Sequence, residues 1–196
     1  MHDAARRAIA DSLYAAGREH DAARPDRLDR FRNVEPETAE LLGVLVRARA
    51  APRVLEIGTS NGYSTIWLGD AAEAVGGTVL SLEIEADRTA QATENVAEAG
   101  VGEFVELRTQ DAAEALRSFA DGAFDLIFLD AERTYYVGYW PDLIRALRPN
   151  GLLVVDNTLS HSKDLVEFSE LVYSDPQVTS TLVTVGAGVL LIVKAP

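Results

Sequence analysis

Short runs of apolar residues alternate with amphipathic stretches along most of this chain. Five apolar runs are predicted as strands, at 53–57, 78–82, 104–107, 124–129 and 152–155. Alanine-rich stretches with helical periodicity lie between and after them, near 63–75, 86–99, 111–120, 137–147 and 161–174. Near-continuous apolar strands that alternate with helices predict an α/β fold, in which a mostly parallel sheet carries helices on both faces.

The N-terminal part of the chain predicts two helices joined by a polar loop. Apolar residues such as Ile9 and Leu13 recur at helical spacing between charges, and Pro36 opens a second amphipathic stretch. The segment 21–33 between them is polar and predicts a loop or a short turn. We expect these first fifty residues to form a helical cap.

The last two apolar runs, 180–185 and 189–193, are separated by only three residues, Gly186-Ala187-Gly188. That connection is too short for a crossover helix, so an antiparallel hairpin is expected. With no repeat or linker in view, residues 1–196 predict a single domain, in which 1–50 form the cap and 51–196 the α/β core.

Composition narrows the range of partners. The formal net charge is −13, which disfavours binding to nucleic acid and to anionic membrane surfaces. The chain contains no cysteine, so neither a disulfide framework nor a thiolate metal site is possible. With no apolar run of transmembrane length, a cytoplasmic location is expected.

A glycine-containing turn lies where the first strand meets the next helix. Gly58 permits a tight turn, and Gly62 permits close approach of the backbone to a ligand. The G-x-x-x-G spacing differs from the G-x-G-x-x-G of dinucleotide sites, which disfavours a nicotinamide dehydrogenase. The polar residues here that can cap the helix or donate to a ligand carboxylate are Ser60, Asn61 and Ser64. A purely structural turn is the alternative.

Two further candidate contacts follow the second and third strands. Ligands of open α/β sheets bind beyond the carboxyl ends of the strands, where Glu83 can accept hydrogen bonds from ribose hydroxyls. Asp111 can accept from an adenine amino group, with Ala112 against the ring. The alternatives are a solvated carboxylate for Glu83 and a helix N-cap for Asp111.

Oxygen-bearing side chains also end the fourth and fifth strands. Asp130 follows one apolar run, and Asp156-Asn157 follow the next. Consecutive parallel strands tend to lie side by side, about 4.8 Å apart, so these side chains are expected within reach of one ion. Carboxylate and amide oxygens suit Mg²⁺, Mn²⁺ or Ca²⁺. Helix capping by the two aspartates is the alternative.

Taken in order, these segments resemble the metal-dependent class I O-methyltransferases, the family of catechol and caffeoyl-CoA O-methyltransferases. VLEIGTSNGYST resembles the cofactor turn, LEIE the ribose-binding acid, and LDAERTYY and VVDN the two metal segments. The resemblance extends from Glu35-Pro36-Glu37-Thr38 to the final hairpin. It implies a Rossmann-like fold with a seven-stranded sheet and an antiparallel last strand.

The resemblance also implies ligands. S-adenosylmethionine would be lined by Glu56, Gly58, Ser60, Gly62, Ser64, Glu83, Asp111 and Ala112. A divalent metal would be held by Asp130, Asp156 and Asn157. The acceptor would be a small molecule, commonly a catechol, that chelates the metal through two vicinal oxygens. In such proteins the N-terminal helices often cover the acceptor site and take part in a homodimer.

Three positions depart from the family pattern. Arg133 stands where the family usually has a lysine that accepts the acceptor's proton, and arginine does not give up its own proton. Glu132 replaces an aspartate, and Gln110 replaces a glycine. His161 is the only histidine expected near the site, although a solvated residue is its more common role; His2 and His20 are expected at the surface. The candidate catalytic residues are Asp130, Arg133 and His161.

The replacement at Arg133 leaves several interpretations open. The metal alone can lower the pKa of the acceptor hydroxyl, His161 can be the base, the acceptor can be something other than a catechol, or activity can be lost. Competing functions are a metal-independent methyltransferase and a cofactor-binding protein with little turnover. The aromatic residues Tyr135, Tyr136, Tyr139 and Trp140 are candidates for the acceptor wall or for core packing.

Overall fold

The computed structural model describes residues 1 and 3–196, so His2 lies outside the described residues. In that part of the chain there are seven α-helices and seven β-strands. The helices are α1 (Ala4–Ala22), α2 (Pro36–Arg47), α3 (Tyr63–Val75), α4 (Ala86–Glu98), α5 (Ala112–Ser118), α6 (Tyr136–Ala146) and α7 (Val166–Ser174). The strands are β1 (Arg53–Ile57), β2 (Thr78–Glu83), β3 (Val105–Thr109), β4 (Phe124–Leu129), β5 (Leu147–Val155), β6 (Val178–Val183) and β7 (Val189–Lys194).

All seven strands form one sheet in the order β3-β2-β1-β4-β5-β7-β6. Strands β1 to β5 are parallel, while β7 pairs antiparallel with both β5 and β6. The predicted fold is confirmed, including the antiparallel last strand and the terminal hairpin. Because the strand order reverses at β1 and β4, a crevice opens at the carboxyl ends of these two central strands.

The central strands bury both of their faces, as their continuous apolar runs predict. Successive side chains of a strand point to opposite faces, so Ile127 and Leu129 pack with α5, α6 and α7. Leu126 and Phe128 pack on the other side, with α1 to α4. This double cover fixes the register of the sheet, because a slip by one residue would exchange the two faces. The strand tips are thereby held in defined positions.

Two elements begin well away from the positions expected from the sequence. Strand β5 begins at Leu147, before the expected 152, and its pairing with β4 shifts in register between Phe124 and Leu126. Helix α7 begins at Val166, not near 161. The preceding residues form turns because their N–H groups bind the β6–β7 hairpin: Thr158 donates to the carbonyl of Gly188, and Ser160 to that of Ala187.

The N-terminal helices cover one face of the sheet, where they pack beside α3. The loop between α1 and α2 is fixed at its end by Asp21, whose carboxylate accepts from the backbone N–H groups of Phe31 and Arg32. This loop therefore crosses above the carboxyl ends of the strands. None of the helices in the described part of the chain has the length and apolar character needed to cross a bilayer.

Gly58 offers a test of how tightly the central strand tips are packed. Its φ is +106°, and a Cβ there would overlap the carbonyl oxygen of Asp130. We expect Gly58→Ala to lower the free energy of unfolding by about 3 kcal/mol or more, from backbone strain and displacement of β4. Chemical denaturation followed by circular dichroism measures this loss.

Gly76 is the matched control, since its φ is also positive, at +69°, but a Cβ there would meet nothing within 4 Å. Gly76→Ala should cost only the left-handed backbone conformation, about 1–2 kcal/mol. Equal losses in the two variants would show that the packing of Gly58 against Asp130 is not a constraint.

Candidate active site

A cavity of about 1130 Å³ opens at the carboxyl ends of the central strands. Its floor comes from the turn after β1 and from residues that follow β2, β3, β4 and β5. The loop between α1 and α2 forms its opposite side, with residues from Arg24 to Val34. Of the predicted site residues, the cavity lining includes Gly58, Ser60, Ser64, Glu83, Asp111, Ala112, Asp130, Arg133, Asn157 and His161.

The turn after β1 is held by backbone bonds to both neighbouring strands. The N–H of Gly58 donates to the carbonyl of Leu82 at 3.0 Å, and the N–H of Asp130 donates to that of Ile57 at 3.0 Å. The Ser60 hydroxyl donates to the carbonyl of Phe31 at 2.8 Å, which ties the turn to the N-terminal loop. The floor and the cover of the cavity are therefore connected at Ser60.

Glu56 lies beneath this turn and is fully buried. Its carboxylate accepts hydrogen bonds from the hydroxyls of Ser64, Thr65 and Ser81 at 2.5–2.6 Å. Burial raises the pKa of Glu56 to about 7, and the three hydroxyl donors oppose that rise. Glu56 therefore supports the first turn of α3 from below, and its predicted contact with a cofactor stays a prediction.

Gly62 is likewise turned away from the cavity. It has a φ of +87°, and a Cβ there would come within 3.2–3.4 Å of Ala92 on α4. The structure thus explains this glycine by the close approach of α3 to α4. Its predicted role at the cofactor stays a prediction.

Glu83 and Asp111 stand at the edge of the cavity formed by β2 and β3. The Glu83 carboxylate accepts from the backbone N–H groups of Ser60 at 2.8 Å, Ile84 at 2.9 Å and Glu85 at 3.1 Å. An ionised carboxylate offers about four acceptor sites, so it retains capacity for a ligand hydroxyl. Asp111 caps α5 by accepting from the N–H of Glu114, and it also lines the cavity.

Asp130 and Asp156 lie side by side at the tips of β4 and β5. The last paired residues of these strands are Leu129 and Val155, so the two aspartates follow at equivalent positions. The side-chain nitrogen of Asn157 donates to both carboxylates, at 3.1 Å to Asp130 and 3.0 Å to Asp156. The predicted juxtaposition of these three side chains is therefore present in the structure.

The two aspartates are in an environment that disfavours negative charge. Burial raises the pKa of Asp130, and the positive charge of Arg32 opposes that rise. Burial also raises the pKa of Asp156, and repulsion from Asp130 adds to it. Asp156 is 1% exposed, and its Oδ1 has no hydrogen-bond partner among the described residues. A cation would relieve both the repulsion and the missing partner.

The donor set fits a hard divalent cation. Two carboxylates are in place, and rotation of the Asn157 amide would present its oxygen instead of its nitrogen. Among residues 1 and 3–196 no group of three or more His, Cys, Asp or Glu side chains could hold a metal ion. The fit therefore depends on the aspartate pair, the amide and oxygens supplied by other ligands.

Glu132, where the family usually has an aspartate, binds the N-terminal loop. Its two carboxylate oxygens accept from Arg27 at 2.8 Å and from Arg32 at 2.7 Å. Neither arginine was singled out from the sequence. The signal was present in the spacing of Arg24, Arg27, Arg30 and Arg32 within one short loop of an acidic chain.

Arg133 and His161 lie on the β4–β5 side of the cavity. The Arg133 side chain is only 9% exposed and lies 3.5 Å from Asp164. The His161 ring contacts the Ser160 hydroxyl at 2.9 Å through Nδ1. Burial lowers the pKa of His161, and the positive charge of Arg133 adds to that shift. Both candidate catalytic residues therefore line the same cavity as Asp130.

The aromatic residues after β4 divide between wall and core. Tyr135 and Tyr139 line the cavity. Tyr136 and Trp140 are buried: the Tyr136 hydroxyl donates to the carbonyl of Ala131, and the Trp140 indole N–H donates to Asp175. Only half of the predicted aromatic wall is therefore available to a ligand.

The surface position expected for His20 is wrong. Its side chain is 25% exposed and lines the cavity. The ring stacks on Phe31 at a centroid distance of 4.0 Å and contacts the carboxylate of Asp21 at 3.1 Å. The histidine lies against the cavity because the loop brings Phe31 over its ring, while the neighbouring Asp21 on α1 supplies an anion.

Comparison with known proteins agrees with this geometry. Residues 18–195 match the model of the O-methyltransferase family. A catechol O-methyltransferase from Mycobacterium tuberculosis is 37% identical over 156 residues, which cover 80% of this chain and 69% of that protein. A catechol O-methyltransferase from Niastella koreensis is 35% identical over 140 residues, 70% of this chain, and the match spans 63% of that protein.

A solved structure of an O-methyltransferase from Streptomyces achromogenes, in complex with S-adenosylmethionine, is also similar. It is 29% identical, superposes with a TM-score of 0.78, and is matched over 100% of this chain and 92% of that one. The fold, the cavity and these similarities place the chain in the Rossmann-like class of S-adenosylmethionine-dependent methyltransferases. Within that class, the chain belongs to the O-methyltransferase family.

A substitution of Glu83 tests whether the β2–β3 end of the cavity binds the cofactor. We expect Glu83→Gln to weaken binding of S-adenosylhomocysteine by about tenfold or more, because hydrogen bonds to a charged acceptor contribute about 1.5–3 kcal/mol. Isothermal titration calorimetry measures the dissociation constant directly.

Asp87→Asn is the control, since Asp87 lines the same cavity from the first turn of α4 but is exposed. Its effect should stay within about threefold, as for other exposed charges. An unchanged affinity in Glu83→Gln would remove Glu83 from the cofactor site.

Proposed function

We propose that this chain transfers the methyl group of S-adenosylmethionine to one oxygen of a small acceptor with two vicinal hydroxyls, assisted by a divalent cation. The observation that carries the proposal is the position of Asp130. It pairs with Asp156 at neighbouring strand tips, and its carbonyl packs directly against Gly58 of the cofactor turn. A cation site at Asp130 and a cofactor on this turn would share one cavity.

Methyl transfer from a sulfonium is a single in-line displacement, so the protein needs no covalent nucleophile. The new bond joins the acceptor oxygen to the methyl carbon, the carbon–sulfur bond breaks, and its electrons remain on the sulfur. The protein must hold oxygen and carbon about 3 Å apart and in line, which lowers the entropic part of the barrier. The enclosing loop and the walls at Tyr135 and Tyr139 support this positioning.

Asp130, Asp156 and Asn157 would hold the cation, with Mg²⁺ as the first choice and Mn²⁺ or Ca²⁺ as alternatives. When bound, the cation would supply positive charge that stabilises an ionised acceptor oxygen. The acceptor must also lose its hydroxyl proton. Arg133 stays protonated, so we assign the proton to His161, which lines the cavity beside Arg133.

A metal-independent methyltransferase is the second candidate function. The observation that favours it is the Asn157 amide, whose nitrogen already bridges Asp130 and Asp156. In that case, the three side chains would form a closed polar network that positions the strand tips. Chelation separates the two candidates, because only the metal-assisted reaction needs the ion.

We expect methylation of catechol by the chain and S-adenosylmethionine to fall by about 100-fold or more with excess EDTA, and to return on addition of Mg²⁺. Asp130→Asn should lose a similar amount of activity while its affinity for S-adenosylhomocysteine changes by less than about threefold. Product formation is followed by mass spectrometry.

Asp121→Asn is the control for this variant, because Asp121 is 84% exposed and remote from the cavity lining. It should retain full activity. Methylation that persists in EDTA and in Asp130→Asn would instead favour the metal-independent reaction. A chain that binds cofactor but methylates no diol in either condition would be a binding protein.

A further inference from the structure

Positive and negative side chains are unevenly distributed along the cavity lining, although the chain as a whole is strongly acidic. Its β2–β3 end carries four carboxylates, those of Glu83, Glu85, Asp87 and Asp111, and one guanidinium, that of Arg88. Three guanidinium groups, those of Arg27, Arg32 and Arg133, line the end near Asp130, beside the two carboxylates of Asp130 and Glu132. An anionic group on a ligand is therefore favoured at the second end relative to the first.

Arg133 is the most exceptional of these cations. Its side chain is about nine-tenths buried, yet its one ionic contact among the described residues is with Asp164, at 3.5 Å. That distance exceeds the 2.7–2.9 Å typical of charge-assisted hydrogen bonds, and Asp164 is itself 58% exposed. The charge of Arg133 acts on the carboxylates of Asp130 and Asp156, but among the described residues none forms a close ion pair with it. A guanidinium has five donors and keeps its charge, so donors remain for an anionic group of a ligand.

Arg32 adds a second underused guanidinium. Its Nη1 donates to Glu132 at 2.7 Å, but Arg27 binds the same carboxylate. The Nε of Arg32 is buried and has no hydrogen-bond partner among the residues that the structure describes. Two guanidinium groups thus share one carboxylate, and one of them keeps a free donor.

We propose that the acceptor carries a carboxylate, and that Arg133 and Arg32 bind it and select anionic over neutral catechols. The proposal rests on the proposed function for the catechol part of the acceptor. A planar guanidinium matches a carboxylate through two parallel hydrogen bonds, which lysine at this position would not provide. This gives a physical role to the arginine that departs from the family pattern.

The test compares two ligands of nearly equal shape, 3,4-dihydroxybenzoate and its neutral amide, 3,4-dihydroxybenzamide. Each is titrated by calorimetry into the chain saturated with S-adenosylhomocysteine and Mg²⁺. We expect the acid to bind about tenfold or more tightly than the amide, from the added charge-assisted hydrogen bonds. The 2,3-dihydroxy pair is measured in the same way, and the preference in either pair supports the proposal.

Substitutions of Arg133 test whether this residue causes the preference for the acid over the amide. Arg133→Gln should reduce it to within about threefold while the affinity of the amide is retained, and Arg133→Lys, which keeps the charge, should retain part of it. Arg117→Gln removes the same charge from an exposed position on α5 outside the cavity lining, and it should leave the preference intact.

Equal affinity of acid and amide in the unmodified chain would overturn the proposal, and this comparison needs no variant to fold. An equal loss for both ligands in Arg133→Gln would also overturn it. So would a loss of affinity for S-adenosylhomocysteine itself in that variant, since the arginine would then bind the carboxylate of the cofactor.

Measuring the methylation of both ligands distinguishes a failure of the anion site from a failure of the proposed activity. If the acid binds preferentially but neither compound is methylated, the anion site stands and the proposed activity fails. If both compounds are methylated with equal kcat/KM and bind equally, the activity stands and the anion site fails.

Discussion

The site is organised around two carboxylates held side by side at the tips of β4 and β5, that of Asp156, which is buried, and that of Asp130, which is partly buried. Like charges in a poorly solvated place repel, so the arrangement is costly unless a cation or a proton compensates it. Burial of the strands on both faces fixes the register that brings Asp130 and Asp156 together. The fold thus places two carboxylates that need a compensating positive charge beside the turn at Gly58.

Ion pairs also hold the loop that covers the cavity. The loop between α1 and α2 approaches an acidic strand edge with arginines, and Glu132 accepts from Arg27 and Arg32. Ser60 ties that loop to the turn after β1 by donating to the carbonyl of Phe31. The turn at Gly58, the tip of β4 and the loop between α1 and α2 therefore form one connected unit.

Much of the fold could be predicted from sequence, because continuous apolar strands and a short Gly-Ala-Gly connection leave few alternatives. The pairing at Asp130 and Asp156 followed from strand adjacency alone. Local contacts of the intervening loops could not be predicted in this way: the turns before α7 depend on hairpin carbonyls, and the inward position of His20 depends on Phe31. The cytoplasmic location and the homodimer stay predictions.

Binding of Mn²⁺, followed by electron paramagnetic resonance, tests whether Asp130 and Asp156 hold a cation, and it needs neither acceptor nor turnover. We expect one Mn²⁺ site per chain in the unmodified protein, weakened by about tenfold or more in Asp156→Asn and displaced by excess Mg²⁺. Absence of a stoichiometric site, or a site of equal affinity in Asp156→Asn, would contradict it.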